Sequence, residues 1–578
     1  MKFITKISLL ALILSIAACD GTELELLDNP NAVTPERASV NDLYNAIQLN
    51  FNNFYSTMQR TDGPGGVARM YGFLGNFTYP GSLSPNTLRG LWLSAYSGMY
   101  PDVDALTALA DERGLDILSG SAKVMKAYTM MGLVDVFGDV PYSEIGQGTD
   151  IIAPVADPGK SVYDAANALL DEAIAQLEGN TGAAPTADNI YGGDAAKWIK
   201  AANTLKLRLA ITTRLVDPSG AASIINGLSE DDLITSAADD FQWNYGSQRT
   251  NPNNRHPFYN LHYEIQDGDY LNNYYMWLLR VDKVTDDETI IIDPRIRFYF
   301  RRKVEKADEQ DQTTYSCHFS ALPDQSAQPA HYAAVDPRLP YCIVLPGDGY
   351  SGRDHLNGEG IPPDGPIRTS YGLYPGGGSF DANQFDDTRK TGTSGGLGAG
   401  IDPIMMSSFT DFMLAEAALT LGTNGDARAL LESGIRKSID KVFSFKSLVP
   451  GEMSTVIEGR PCGGSTVEEC FVPDQEAIDT YVDFVLSQYD DVEGEKEGQL
   501  AIVAKEYYIA LWGNGLEAYN LWRRTGYPDN MQPAIEPDAG TFARSFFYPN
   551  DYILRNKNAT QRSISDPVFW DDGSADVY

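Results

Sequence analysis

Aromatic, amide and guanidinium side chains crowd two stretches of this 578-residue chain. The first runs from Arg60 to Arg89 and holds Arg69, Tyr71, Phe73, Asn76, Phe77 and Tyr79 beside Gly63, Gly65 and Gly66. The second runs from Trp243 to Trp277 and holds Tyr245, Arg255, His256, Tyr259, Tyr263, Tyr270, Asn272, Asn273, Tyr274 and Tyr275. A pyranose ring needs this mixture: a flat aromatic face for its apolar side, and polar groups for its hydroxyls. A third, Gly-rich stretch from Asp348 to Glu359 continues to Gly378 and adds Arg353, Asp354 and His355 as donors and acceptors. The candidate ligand contacts are therefore Arg69, Tyr71, Tyr79, Trp243, Tyr270, Asn273, Tyr274, Trp277, Arg353 and Asp354. Packing of the same rings beneath the loops is the competing reading. The oxygens of the third stretch could suit calcium, but they do not match EF-hand spacing, and a polar turn is the plainer reading. No other cofactor is expected.

Covalent chemistry is less well served. A glycoside hydrolase needs two carboxylates about 5 to 10 Å apart. With 79 acids in the chain, any pair can be nominated. No convincing G-x-S-x-G elbow stands with a matching histidine, and five histidines leave little for triads. No C-x-x-C or His-Cys cluster has zinc spacing. The chain reads as a binder rather than an enzyme; a surface glycoside hydrolase and a plain helical scaffold are the rivals.

The N-terminus gives an address. Lys2 and Lys6 precede an apolar run from Ile7 to Ile16, too short to span a bilayer comfortably, and Ala17-Ala18 then leads to Cys19. This pattern looks like a lipobox, where bacterial lipoproteins are cut and acylated on the new N-terminal cysteine. The chain would then be held by lipid, with no spanning helix. Losing residues 1–18 removes two lysines and no acid, which moves the net charge from −35 to −37. Such a surface repels nucleic acid and anionic lipid headgroups, and favours a neutral ligand unless local arginines, such as those from Arg295 to Lys303, reverse the field. Four cysteines remain: Cys317, Cys342, Cys462 and Cys470. Cys462 and Cys470 bracket a short Gly-rich loop and are the best disulfide pair, which leaves Cys317 with Cys342; four free thiols are the alternative.

Helical periodicity must position these groups. It predicts helices over Pro35–Met58, Ser121–Phe137, Ser161–Leu177, Asp194–Leu215, Ile404–Leu421, Ala427–Val442, Gln475–Gln488 and Leu500–Arg524. The last carries Tyr508, Trp512, Leu516 and Tyr519 on one stripe. Between them the chain is rich in Gly, Pro, Asn, Asp and Tyr, with short apolar runs at Thr289–Ile292, Ile296–Phe300 and Cys342–Leu345 that read as small strands. The final fifty residues read as an extended, aromatic tail. The expected organisation is a signal peptide over 1–18, a lipidated tether over 19–34, a first helical part over 35–217, a loop-rich ligand-binding insert over 218–401 and a second helical part over 402–578. The fold class is mainly α: a tetratricopeptide-like solenoid of helical pairs carrying a large loop-rich insert with a few short strands.

Five segments together resemble the SusD/RagB family of nutrient-binding outer-membrane lipoproteins. They are Lys123–Glu144, with its Gly-Asp-Val-Pro-Tyr turn; Trp198–Ala210; Asp293-Pro-Arg295; Phe412–Ala418; and Gly515–Pro528. The resemblance implies a surface protein that binds oligosaccharide, less often peptide. It also implies a hinged lid on a SusC-like, TonB-dependent barrel, and no covalent chemistry. The motif residues themselves are expected to build the fold. Glu416 should pair with an arginine between helices, Arg523 and Arg524 should meet such carboxylates, and Trp92, Tyr96, Trp198 and Trp512 should pack the core.

Overall fold

A computed structural model describes residues 39–148, 150–180, 182–265, 269–306, 328–341, 344–345, 348–358, 368–385, 392–459 and 462–578. Cys19, the tether, Cys317 and Cys342 lie outside the described residues. Helices of eight or more residues are numbered here. The first part contains α1 (Val40–Met58), α2 (Tyr100–Arg113), α3 (Asp116–Phe137), α4 (Gly159–Glu178) and α5 (Ala195–Thr213), and α6 (Pro218–Gly227) opens the stretch expected to be loop-rich. The middle contains β1 (Phe241–Asn244), α7 (Asn273–Arg280), β2 (Phe300–Arg301), β3 (Ser370–Tyr371) and β4 (Ile401–Met405). The last part contains α8 (Ser407–Leu421), α9 (Ala427–Ser444), α10 (Gln475–Asp491), α11 (Lys496–Ala510) and α12 (Gly515–Thr525). Successive helices pack as pairs: α2 on α3, α3 on α4, α4 on α5, and α8 on α9.

Helix α3 is central. Apart from Asp116, Lys123 and Lys126 it is buried along its whole length, apolar all round rather than on one stripe. Its two lysines lead their charges outward, Lys123 Nζ to Gln176 Oε1 at 3.1 Å and Lys126 Nζ to Asp104 Oδ1 at 2.5 Å. The ends of other helices follow from local chemistry. Asp194 caps α5 by accepting from the backbone of Ala196 and Lys197, and Gly114 closes α2 at φ +65°.

The helix expected over Leu500–Arg524 is two helices. The chain leaves α11 after Ala510 and turns at Gly513, whose φ of +98° suits glycine. Asn514 then caps α12 by accepting from Glu517 N, while its Nδ2 donates to the carbonyls of Pro403 and Ile404, both at 3.0 Å. Tyr55 of α1 donates to the carbonyls of Gly513 (2.9 Å) and Pro403 (2.8 Å). The break is thus where three distant parts of the chain meet. The apolar stripe runs through it because both helices face the same core.

The middle also departs from expectation. Residues 296–299 form one helical turn before β2, and the 289–292 run contributes only an isolated bridge between Val284 and Ile290. Helix α7 lies where loop was expected; it is eight residues long and buried from Asn273 to Leu279, too short to show a clear helical period. β1 pairs antiparallel with β4, with Trp243 opposite Asp402, and β2 pairs antiparallel with β3. The C-terminal tail is largely irregular and brings Trp570 Nε1 to Asp135 of α3 at 2.9 Å.

Buried ion pairs lock the two helical parts. Arg208 of α5 donates to Glu517 of α12 at 2.8 Å and pairs with Asp135 of α3. Arg214, at the end of α5, meets Glu416 of α8 at 2.8 Å, and Arg524 of α12 holds both oxygens of Glu416 at 2.8 Å. Arg295 joins Asp293 (2.6 Å) to Glu506 of α11 (3.4 Å), and Lys283 meets Glu506 at 2.9 Å. Desolvating each ion costs several kcal/mol, so such charges persist only when paired.

Candidate ligand-binding site

The three stretches rich in aromatic and polar groups converge. Tyr71 bridges antiparallel to Leu271, and Asn272 bridges parallel to Arg353. Gly72 N donates to Tyr270 O (2.7 Å), Asn273 N to Arg353 O (2.9 Å) and Leu356 N to Phe73 O (2.8 Å). Each stretch is therefore hydrogen-bonded to the other two.

Most of the nominated side chains point into this junction rather than out of it. Trp243, at 7% exposure, is the most accessible of the ten. Arg69, at φ +58°, donates to the carbonyls of Val67 (2.7 Å), Tyr578 (2.8 Å) and Gln532 (3.1 Å), and stacks on Trp522. Tyr71 meets the Tyr371 hydroxyl at 3.2 Å with its ring against Trp512, and Tyr79 meets His355 Nε2 at 3.1 Å. Asn273 Nδ2 donates to Asp354 Oδ1 at 2.8 Å, and Gln532 Nε2 donates to the same oxygen at 3.0 Å. Tyr274 donates to Asn530 (3.1 Å) and stacks on Trp277, and Arg353 lies 4.2 Å from the Tyr270 ring centroid. These side chains were expected to contact ligand directly; the structure places all ten in the interior, with little ring surface open to solvent. They pack the junction where the three stretches meet.

The exposed rim differs. At one edge Leu74 and Asn76 are exposed and Phe77 is partly buried. Their loop is cross-braced: Asn76 N donates to Ser82 Oγ (2.7 Å), Asn76 Nδ2 to Gly81 O (3.0 Å) and Ser82 Oγ to Thr78 O (2.6 Å). Gly75 makes this fit possible, since a Cβ there would lie 1.9 Å from Ser82 Oγ. Phe77 is held at φ +62°, a conformation that costs a non-glycine residue of order 1–3 kcal/mol. Rigid presentation of an aromatic and an amide is what a sugar subsite requires. At the other edge Arg60, paired with Asp62 at 2.8 Å, faces Asp269 and Arg368, and Arg368 lies 5.1 Å from the Tyr270 ring centroid. Burial and the neighbouring Asp62 push the Asp269 carboxyl above its usual range. Sequence reasoning did not single out Arg60, Asp62, Asp269 or Arg368; scattered charges have no local signature.

A polar cluster lies under the second stretch. The Tyr245 hydroxyl donates to Asp402 Oδ2 (2.8 Å), accepts from Asn52 Nδ2 (3.1 Å) and lies 3.2 Å from Ser56 Oγ. His256 Nε2 is 3.4 Å from Asp402 Oδ1, while its Nδ1 accepts from Phe258 N at 3.2 Å. Both ring nitrogens are thus engaged by other partners than Ser56. Burial and Asp402 push Tyr245 well above its ordinary pKa, which keeps it a neutral hydroxyl. This group can orient hydroxyls.

A family model described as "Starch-binding associating with outer membrane" matches residues 41–342, and one described as "Susd and RagB outer membrane lipoprotein" matches residues 402–566. The chain belongs to the SusD/RagB-like family. Solved structures agree on the fold. A SusD homologue from Bacteroides uniformis is 21% identical with a TM-score of 0.59, covering 92% of this chain and 99% of its own. A SusD/RagB family protein from Bacteroides thetaiotaomicron is 20% identical with a TM-score of 0.62, covering 93% of this chain and 100% of its own. A chitin-binding SusD homologue from Flavobacterium johnsoniae is 17% identical with a TM-score of 0.62, covering 92% of this chain and 99% of its own. No curated protein matches the chain. The mainly α, tetratricopeptide-like scaffold is thus the SusD-like fold.

In this SusD/RagB-like chain each of the five motif segments carries buried charge: Asp135, Arg208, Asp293 with Arg295, Glu416, and Glu517 with Arg524. Their job is structural. Arg295 is spent in that core and does not join a surface cluster. Cys462 and Cys470 are joined by a disulfide, with Cα atoms 5.9 Å apart. In the stretch considered for calcium, Asp348 pairs with Arg280 (2.7 Å) and Asp354 with Asn273, while Glu359 lies outside the described residues. Among the described residues no group of three or more His, Cys, Asp or Glu side chains could hold a metal ion, and no helix is long and apolar enough to cross a membrane.

Proposed function

We propose that this chain is a non-catalytic, lipid-anchored protein of the outer-membrane surface that captures oligosaccharide. It delivers the sugar as a hinged lid to a SusC-like, TonB-dependent barrel. The observation that carries the reading is the braced rim loop: Phe77 and Asn76 stand rigidly at the edge of the junction built by all three aromatic stretches. Family membership supports a carbohydrate ligand, and one structural relative is itself named as chitin-binding. Cys19 supplies the anchor in this reading, and the acidic residues after it supply slack for a swinging lid.

The test is incubation of purified protein with oligosaccharides of graded length, monitored by calorimetry and by product analysis. Binding without products is expected; turnover would make the protein an enzyme. Affinity purification from outer membranes should recover a TonB-dependent barrel, and its consistent absence would remove the lid role.

A further inference from the structure

A cleft of about 320 Å³ opens beside the C-terminal end of α7, away from the rim loop. Arg280, Arg297 and Arg302 line it, with Ile292, Tyr350 and Phe385 among its apolar walls. Two carboxylates hold the three guanidiniums. Asp348 accepts Arg280 Nε at 2.7 Å and lies 3.5 Å from Arg302 Nη1. Asp381 accepts Arg302 Nε at 2.7 Å and lies 3.7 Å from Arg297 Nη1. Asn383 Oδ1 accepts from Arg302 Nη2 (2.6 Å) and Arg297 Nη1 (2.9 Å), fixing both without cancelling charge. Arg302 is further held over the rings of Tyr350 (5.0 Å) and Phe385 (5.5 Å).

The balance is uneven. Three cations face two anions, and Glu305 and Lys306, also in the lining, add one charge of each sign. Among the described residues one positive charge is therefore left over locally, in a chain of net −35. Distant acids do not erase it, because screening limits their reach to about 10 Å. The terminal amino groups of Arg280 and Nη2 of Arg297 make no hydrogen bond to a described residue. Their side chains are 23% and 24% exposed, so a solute can reach them. A guanidinium fork matches the planar carboxylate of a sugar acid with two parallel hydrogen bonds.

We propose that this cleft takes the carboxylate of a uronic-acid unit, clamped by Arg280 and Arg297 with the sugar ring beside Phe385 and Ile292. The proposal rests on the oligosaccharide reading above and narrows it to acidic glycans.

The experiment compares oligomers of galacturonate, glucuronate and mannuronate with their neutral counterparts by calorimetry at low and high salt. A uronate oligomer should bind roughly tenfold or more tighter than its neutral form, with the advantage shrinking as salt rises. Arg280→Gln should erase that advantage, while Arg280→Lys should restore part of it. Equal binding of acidic and neutral oligomers overturns the uronate site and leaves the oligosaccharide reading standing. Failure of all oligomers overturns both. Tighter binding of an acidic peptide than of any uronate also overturns the proposal.

Discussion

Phe77 and Trp277 show how differently two aromatics from the same kind of stretch are used. Phe77 is strained at φ +62° and partly accessible; Trp277 is fully buried. Replacing Phe77 with glycine removes the ring and relieves the backbone together. Stability should change by less than about 1 kcal/mol, because the relieved strain offsets the added unfolded-state entropy. Oligosaccharide affinity should still fall roughly tenfold, about 1.4 kcal/mol, because the ring that would cover the apolar face of a sugar is gone; unchanged affinity would exclude Phe77 from the site. Trp277→Ala should do the opposite, costing about 3–5 kcal/mol in urea unfolding through the cavity it leaves. The Trp277 indole N–H has no hydrogen-bond partner among the described residues, so Trp277→Phe should be far milder. Sequence located both stretches because ring density is visible in composition. It could not separate junction from rim, because a core and a sugar site draw on the same residue types.

At the level of elements, charge placement was more legible than loop geometry. A glutamate in the apolar run Phe412–Ala418 must find a cation, and Glu416 finds Arg214 and Arg524. Amphipathic helices such as α4 and α10 were visible for the same kind of reason: one face must meet water. Helix α7 and the break before α12 were not, the first because it is too short to show a clear helical period, the second because Asn514 answers to β4 carbonyls far away in sequence. Burial pushes the Glu416 pKa up, but the two arginines outweigh it and hold the carboxyl below its usual range. Glu416→Ala would leave two buried guanidiniums facing each other. Unfolding should become easier by about 3–5 kcal/mol, with α5, α8 and α12 losing amide-exchange protection together. A loss below 1 kcal/mol would mean that the pair does not couple these helices.

For the whole molecule, buried histidines set the response to acid. Burial, aided by Lys303 and Arg368, pushes His262 down to about 3, and burial with Arg69 lowers His355 well below its ordinary value. Unfolded histidine titrates near 6.5, so below that pH the unfolded chain binds more protons than the folded one. Stability should therefore be complete above pH 7 and fall on acidification from about 6.5, by up to about 1.4 kcal/mol per pH unit per histidine. Asp293, Glu416 and Asp282, all held low, add a further loss only below about pH 4. Urea midpoints measured from pH 8 to 4.5 check this; a flat profile between 7 and 5 would contradict it. The junction at Gly513 also has a meaning in time. Tyr55 cannot make its bonds until residue 513 exists, and Arg69 must wait for Gln532 and Tyr578. A chain made from its N-terminus therefore holds its first helix without a finished core through nearly all of its synthesis. Neither half cut free should be a stable protein, because each lacks partners that the other supplies.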